Sequence, residues 1–250
     1  TMTGFSHKLL HVLARLHGWA STSFDVPSAY LKAPLHKPII AYPASKTFLY
    51  RDKRGVPYVH LYRSGVYGGK NCAGLWHKEM QNYLESIGFI SLVNLESVFL
   101  YQQGTEMIIL GLYVDDAECF YNSAHLAKWF QTKMKTVFNV KFLGRVQWFL
   151  GQEIIYDDEK DTTTLSLRTY IEAVAKKYGL EGSRRPSTPM EEDIINTEKP
   201  ETEEDKAFMK KAPYLELLGC LGCVHQNVGP QYGVHFHKLA SVASHPARAY

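Results

Sequence analysis

Three carboxylates carry the most specific chemistry in this sequence. Asp115 and Asp116 are adjacent, preceded by the apolar run Ile108-Ile109-Leu110-Gly111-Leu112 and by Tyr113-Val114, and followed by Ala117, Cys119 and Phe120. Two like charges about 4 Å apart repel by roughly 4 kcal/mol at an effective dielectric of 20, so such a pair needs a counter-charge or a shared proton. A divalent cation supplies that charge, and Mg²⁺ in particular binds through one or two carboxylates plus substrate phosphates. Neighbouring side chains of a strand point to opposite faces, so both aspartates reach one site only if the pair occupies a hairpin tip. Asp25 closes the short β-rich run Thr22 to Val26 just ahead of Pro27. Alone it reads as a cap, the commoner role of an aspartate between strand and helix. Tyr156-Asp157-Asp158 repeats the aspartate pair, but Glu159-Lys160-Asp161 follows it, and that string reads as a solvated turn.

The elements that must position these groups follow from apolar spacing. Leu9, Leu10, Leu13 and Leu16 predict a helix over 7–16 that ends at Gly18, with a strand over 22–26 after it. Residues 34–64 carry four prolines among basic residues and predict short strands and loops projecting from the main sheet. Leu75, Trp76, Met80, Tyr83 and Leu84 predict a helix over 72–87. Strands are expected over 98–102 and 107–113 around Gln103-Gly104-Thr105, with a third over 118–121. A helix over 124–137, a strand near Val140, a hairpin over 148–167 turning at 157–161 and a helix over 170–178 complete this part. Pro186, Pro189 and Pro213 bracket an expected acidic linker, and helices are expected over 214–224 and 232–242. The fold class is α+β.

Composition is that of an ordinary globular chain, 250 residues with 45% apolar and 21% charged, long enough for a sizeable core. No apolar stretch reaches the 18 residues of a membrane span and no signal-peptide layout opens the sequence, so the expectation is a soluble, intracellular protein without a membrane partner. Four scattered cysteines do not form a disulfide framework. The net charge of +3 conceals an asymmetry, because residues 191–205 hold eight carboxylates against one lysine. The rest of the chain has 27 basic and 17 acidic residues, a net of +10 that suits a polyanionic partner.

Phe24-Asp25-Val26-Pro27-Ser28-Ala29-Tyr30-Leu31 and, some ninety residues later, Tyr113-Val114-Asp115-Asp116 together resemble the two catalytic motifs of reverse transcriptases, the Ty1/copia retrotransposon class above all. Gly18-Trp19 stands ahead of the first aspartate as in that class. Tyr67-Gly68-Gly69-Lys70-Asn71-Cys72-Ala73-Gly74-Leu75-Trp76 is similar to its Tyr-Gly-Leu-Lys-Gln-Ala-Pro-Arg-x-Trp segment. Phe149-Leu150-Gly151 with Glu153-Ile154 resembles its Phe-Leu-Gly-Ile-Glu segment, and Tyr170 through Gly179 to Ser187-Thr188-Pro189-Met190 resembles its thumb.

The resemblance implies a right-hand polymerase, an RNA-directed DNA polymerase that copies an RNA template from a DNA primer with deoxynucleoside triphosphates. Its domains would be the reverse transcriptase over 1–190 (fingers about 35–90, thumb about 160–190), the acidic linker over 191–212, and over 213–250 the start of a connection toward ribonuclease H. Asp25, Asp115 and Asp116, with the backbone of Val26, would hold two Mg²⁺ ions, Mn²⁺ being the substitute ion. Tyr30, Tyr67, Gly68 and Lys70 would line the nucleotide pocket, with Tyr30 excluding a 2′-hydroxyl. Tyr113, Val114, Phe149, Leu150 and Gly151 would face the primer. In an intact element the partners would include integrase and ribonuclease H, in a cytoplasmic virus-like particle.

On the resemblance, the sequence departs from the family at Gly69 for Leu, Asn71 for Gln, Ala73 for Pro and Gly74 for Arg, and the family's upstream finger strands would be expected ahead of its first residue. A second reading is therefore a truncated, inactive retroelement remnant that keeps the fold and binds nucleic acid. A third is a zinc module of Cys220-x-x-Cys223 with His225, His235 and His237, against which stands a close-packed helix of small residues. Trp76, Trp129 and Trp148 read either as base-stacking rings or as core.

Overall fold

The structure is a computed structural model that describes residues 1–42, 50–183, 187, 188, 190, 202–244 and 246. Most of the expected acidic stretch and Pro189 of the Ser-Thr-Pro-Met string lie outside the described residues. The chain divides into two compact units, residues 1–150 and 151–250. Among the described residues, no helix is long and apolar enough to cross a membrane.

In the first unit, helix α1 (Gly4–Leu16) leads into β1 (Ala20–Asp25), a 3₁₀ turn (Ala29–Lys32) and a two-stranded ribbon of β2 (Pro34–Ala41) and β3 (His60–Ser64). Helix α2 (Cys72–Ser86), strands β4 (Ile90–Ser91), β5 (Val98–Gln103), β6 (Glu106–Tyr113) and β7 (Asp116–Tyr121), helix α3 (Ala124–Phe138), and strands β8 (Lys141–Gly144) and β9 (Trp148–Phe149) complete it. Six of the strands form an antiparallel sheet in the order β4-β5-β6-β7-β1-β8. The expected boundaries are met to within a few residues; α1 begins three residues earlier than expected because Thr3 accepts the Ser6 amide at 3.1 Å as an N-cap.

The two faces of the sheet are covered differently. On one, Trp76, Met80 and Leu84 of α2 and Leu126, Phe130 and Met134 of α3 pack against Phe24, Ile108, Leu110, Leu112, Ala117 and Cys119. Period-two alternation sends the intervening residues, Gly111, Glu118 and Phe120, to the other face, where α1 lies. A Cβ on Gly111 would stand 2.3 Å from the Met2 sulfur and 3.2 Å from Leu10, so glycine is what lets the α1 layer sit directly on β6.

The β6–β7 connection is as short as a hairpin allows. Tyr113 pairs with Asp116, leaving Val114 and Asp115 as a two-residue turn. Val114 has φ +57°, at the position where such turns ordinarily carry glycine. A β-branched residue held there costs on the order of 1–3 kcal/mol, which its surroundings must offset. Two contacts do so. The Trp76 indole N–H donates to the Val114 carbonyl at 2.5 Å, and the Val26 amide donates to the Asp115 carbonyl at 2.9 Å. Trp76 is thus a core residue, only 1% exposed, and its edge hydrogen bond joins α2 to the turn.

The second unit opens with the hairpin β10 (Gln152–Asp157) and β11 (Thr162–Ser166), followed by α4 (Arg168–Lys177), α5 (Glu203–Met209), α6 (Tyr214–Asn227) and α7 (Gly233–Ser241). Helix α5 lies where a linker was expected. Thr202 caps it, accepting the Asp205 amide at 3.1 Å, and three carboxylates in its first turn favour the positive end of the helix dipole. Helices α6 and α7 approach closely at Gly222, where a Cβ would stand 3.0 Å from the Phe236 ring.

Replacing Trp76 by Phe keeps the ring in the core but leaves the Val114 carbonyl without its donor. The expected loss is about 1–3 kcal/mol in urea unfolding. Val93→Ala, at a side chain 97% exposed, should change stability by less than about 0.5 kcal/mol.

Candidate active site

Asp25 is the last residue of β1 and stands directly opposite Asp116, the first residue of β7, while Asp115 sits in the turn between β6 and β7. The hairpin-tip arrangement expected for the pair is the one observed. Burial pushes the Asp116 carboxyl above its ordinary range, and the charges of Asp115 and Asp25 push it the same way. Three carboxylates that raise one another's cost of ionisation, offering only hard oxygen donors, fit Mg²⁺ in kind. Among the described residues, the one set of three donors whose ligand atoms all lie within 4.8 Å of one another is elsewhere, so the aspartates are neighbours without converging. Val26, fully buried, is fixed beside them by its bond to Asp115.

Tyr30 lies in the 3₁₀ turn that follows Asp25, and its ring meets that of Tyr67 edge-on at 4.9 Å. Burial and then the nearby Asp115 charge hold the Tyr30 hydroxyl above its usual range. Tyr67 is 60% exposed, Gly68 takes φ +87° and Lys70 is exposed in the turn before α2. A Cβ on Gly65 would stand 2.6 Å from the Tyr30 carbonyl, so the chain carrying Tyr67 can come this close to Tyr30 only at a glycine. The departure at Gly69 has a local partner. A Cβ there would lie 2.4 Å from the Cys72 sulfur, which in turn accepts the Val66 amide at 3.3 Å. At Gly74 an added Cβ meets only open space.

Tyr113 is half-exposed on the rim of the turn. Phe149 is buried, its ring 5.4 Å from that of His7, and Leu150 and Gly151 both adopt left-handed backbone, φ +51° and +74°. Trp129 packs on Tyr101 at 4.7 Å, and Trp148 is 51% exposed. Asp157, as expected of a solvated turn, pairs with Lys160 at 3.0 Å, and the Lys160 backbone and side chain hold its carboxyl below the ordinary range. The thiols of Cys220 and Cys223 border the Tyr170 hydroxyl and, with burial, push its pKa up, and His225 stacks on Phe236 at 5.3 Å. Among the described residues these groups form no converging metal set, which corrects the zinc-module reading; the close approach of Gly222 to Phe236 supports the small-residue helix instead.

A second polar cluster was not foreseen. Glu118 of β7, fully buried, receives His7 Nδ1 at 3.0 Å and His11 Nε2 at 3.1 Å from α1. Burial raises its carboxyl to about 7, against the lowering effect of His11, and burial with the nearby Lys8 charge lowers His7 to about 4. The signal was present as two histidines four apart on one helix and a lone carboxylate between Cys119 and Ala117. Pairing the two required knowing that α1 covers β7.

Comparison with known proteins accords with this geometry. The family model described as Reverse transcriptase (RNA-dependent DNA polymerase) matches residues 5–192. The retrovirus-related Pol polyprotein from transposon RE1 of Arabidopsis thaliana is 29% identical over 175 residues, 69% of this chain and 11% of that protein. A transposon Ty5-1 protein of Saccharomyces cerevisiae is 27% identical over 199 residues, 79% of this chain and 61% of that protein. The Pol polyprotein from transposon TNT 1-94 of Nicotiana tabacum is 27% identical over 159 residues, 62% of this chain and 12% of that protein. The chain thus spans about a tenth of the plant polyproteins and under two thirds of the yeast protein. With three quarters of its length matched by the family model, it belongs to the reverse transcriptase family of retrotransposon Pol polyproteins.

Proposed function

We propose that the chain carries the nucleotidyl-transfer centre of an RNA-directed DNA polymerase, with the six-stranded sheet as palm, the β2–β3 ribbon and α2 as part of the fingers, and the segment from about 160 to 190 as thumb. The observation that supports this best is the placement of Asp115 in a two-residue turn and of Asp116 directly after it, opposite Asp25, with charges that disfavour ionisation of Asp116.

In this reading Asp25 and Asp115 are the principal ligands of two Mg²⁺ ions, assisted by Asp116 and the backbone of Val26. Bound there, the ions would lower the pKa of the primer 3′-hydroxyl and stabilise the leaving pyrophosphate. The chain's own contribution is position. The Trp76 bond and the Val26 bond fix the backbone of the turn, so only the carboxylate side chains need turn inward to meet the ions. Tyr30, against whose ring Tyr67 packs, lies in the turn that follows Asp25 and feels Asp115, which suits a ring beneath the incoming sugar that excludes a 2′-hydroxyl. Lys70 and Gly68 then border the nucleotide, and Tyr113, Val114, Phe149, Leu150 and Gly151 the primer. Tyr62 and Arg63 of the ribbon, and Tyr42, Arg51, Arg54 and Tyr58 of the segment between its strands, are exposed or nearly so, a combination suited to stacking on bases and neutralising phosphates. RNA template, DNA primer and deoxynucleoside triphosphates are the partners this implies.

A second reading, a folded chain that holds nucleic acid without copying it, draws on Gly74. The open space beside it is where a family member carries an arginine, and a positive charge is missing from the pocket wall.

Primer extension on an RNA template with Mg²⁺ separates the two. Extension is expected, and Asp115→Asn should reduce it by more than about 100-fold, the scale on which a lost transition-state contact acts. No extension by the unaltered chain that nonetheless binds primer–template would favour the second reading. Tyr30→Ala should raise the use of ribonucleotides relative to deoxyribonucleotides, measured as the ratio of kcat/KM. Because the Asp116 carboxyl lies above its ordinary range in the fold, its ionisation opposes folding at all pH above that value and ceases to matter as pH falls below the unfolded value. Asp116→Asn should therefore raise the Tm of the metal-free chain at neutral pH. Acidification or saturating Mg²⁺ should shrink the gain.

A further inference from the structure

The buried cluster of α1 and β7 has the composition of a transition-metal site. His7 and His11 are four residues apart and so project from one face of α1. Glu118 comes from the middle of β7, two residues beyond Asp116 and therefore on the same sheet face, about 7 Å further along the strand. His7 Nδ1, His11 Nε2 and a Glu118 carboxylate oxygen all lie within 4.8 Å of one another, and all three side chains are 5% exposed or less.

Ligands of tetrahedral Zn²⁺ lie about 2.0–2.2 Å from the ion and hence roughly 3.4 Å apart. The two nitrogens stand 3.0 and 3.1 Å from the carboxylate and the widest pair of the set spans up to 4.8 Å, so the set reaches tetrahedral spacing when Glu118 draws back slightly and the two imidazoles turn toward each other. The surroundings are dry: the Phe149 ring lies 5.4 Å from His7 and the Phe120 ring 4.9 Å from His11. Among the described residues, the ion-pair partners of Glu118 are these two histidines, and His7 Nε2 is buried without a hydrogen-bond partner. A carboxylate buried in such a place needs a fixed positive charge, and imidazole nitrogens select a borderline ion such as Zn²⁺ over Mg²⁺.

We propose that His7, His11 and Glu118 bind one Zn²⁺-class ion, separate from the aspartate site, that clamps α1 onto β7. The enclosure of all three ligands gives the ion a structural role. It ties the first helix of the chain to the strand that begins with Asp116, and binding stabilises the folded unit because the unfolded chain has no preformed site.

The full chain, freed of metal with chelator, should take up one equivalent of Zn²⁺ in equilibrium dialysis with a rise in Tm, and should give a visible ligand-field spectrum with Co²⁺. His7→Gln and His11→Gln should each weaken that equivalent by more than about 100-fold, since changes to groups merely supporting ligands already cost 10–100-fold. Asp116→Asn and the double change Cys220→Ser with Cys223→Ser should leave it intact. Should the histidine variants fail to fold, zinc-edge X-ray absorption on the unaltered chain reads the ligand set directly. Two imidazoles and oxygen uphold the proposal; sulfur in the shell, no stoichiometric uptake, or uptake that survives loss of both histidines overturns it.

Discussion

The indole N–H of Trp76 holds the carbonyl of Val114, and the arrangement of the three aspartates depends on that bond. A two-residue turn is the only connection that puts both Asp115 and Asp116 at the end of the sheet beside Asp25, and it forces a β-branched residue into left-handed backbone. Without that donor, nothing on α2 would offset the strain of the Val114 backbone or the mutual repulsion of the charges beside it. The donor comes from α2, whose other apolar residues, Met80 and Leu84, are buried in the same core as Phe24 and Leu110. Core packing on one face of the sheet is thereby converted into geometry on its rim. A ring in the core with a polar edge can do this; an aliphatic side chain of equal volume cannot.

Strand β7 shows how much follows from alternation. Ala117 and Cys119 enter the core beneath α2 and α3, while Asp116, Glu118 and Phe120 face the other way. The first of these is at the rim and keeps contact with water; the next is sealed under α1. One step of pleat separates a carboxylate whose charge is usable from one whose charge must be neutralised in place. His7 and His11 are the polar groups that meet it there, and they give α1, otherwise held by Leu10 and Ala14, two imidazoles on its buried face.

The order and type of the elements were legible in the sequence because the apolar spacing is strong: Leu75, Trp76 and Met80 mark α2, and the Gln103-Gly104-Thr105 string marks the β5–β6 turn, where Gly104 does take φ +62°. The pairing of Asp115 with Asp116 at a hairpin tip was legible too, since no other place lets neighbours on a strand share a site. Register was not. Nothing local says that Asp25 lies across from Asp116, or that Glu118 lies beneath His7, because such pairings are decided by which strand β1 joins and which face α1 covers. Helix α5 was missed for a different reason: its acidic composition reads as solvated coil, and the Thr202 cap that makes a short helix of it is a single residue in a polar stretch.

The departures of this chain from its family are best weighed by what stands next to them. Gly69, where a leucine is usual, abuts the Cys72 sulfur so closely that a Cβ would collide with it, and Cys72 stands where the family has alanine. The Cys72 sulfur fills the space beside Gly69 and accepts the Val66 amide. That pair of changes leaves the approach to α2 packed, and Trp76, four residues past Cys72 on the same face of the helix, still reaches Val114. Gly74 has no such counterpart: open space surrounds it, and no neighbouring volume stands in for the arginine. In the proposed polymerase reading, a charge missing at Gly74 would leave the turn, the core and the aspartates as they are. In the proposed reading, packing beside α2 and charge in the pocket are separate matters: Gly69 has a close neighbour in Cys72, and Gly74 has none.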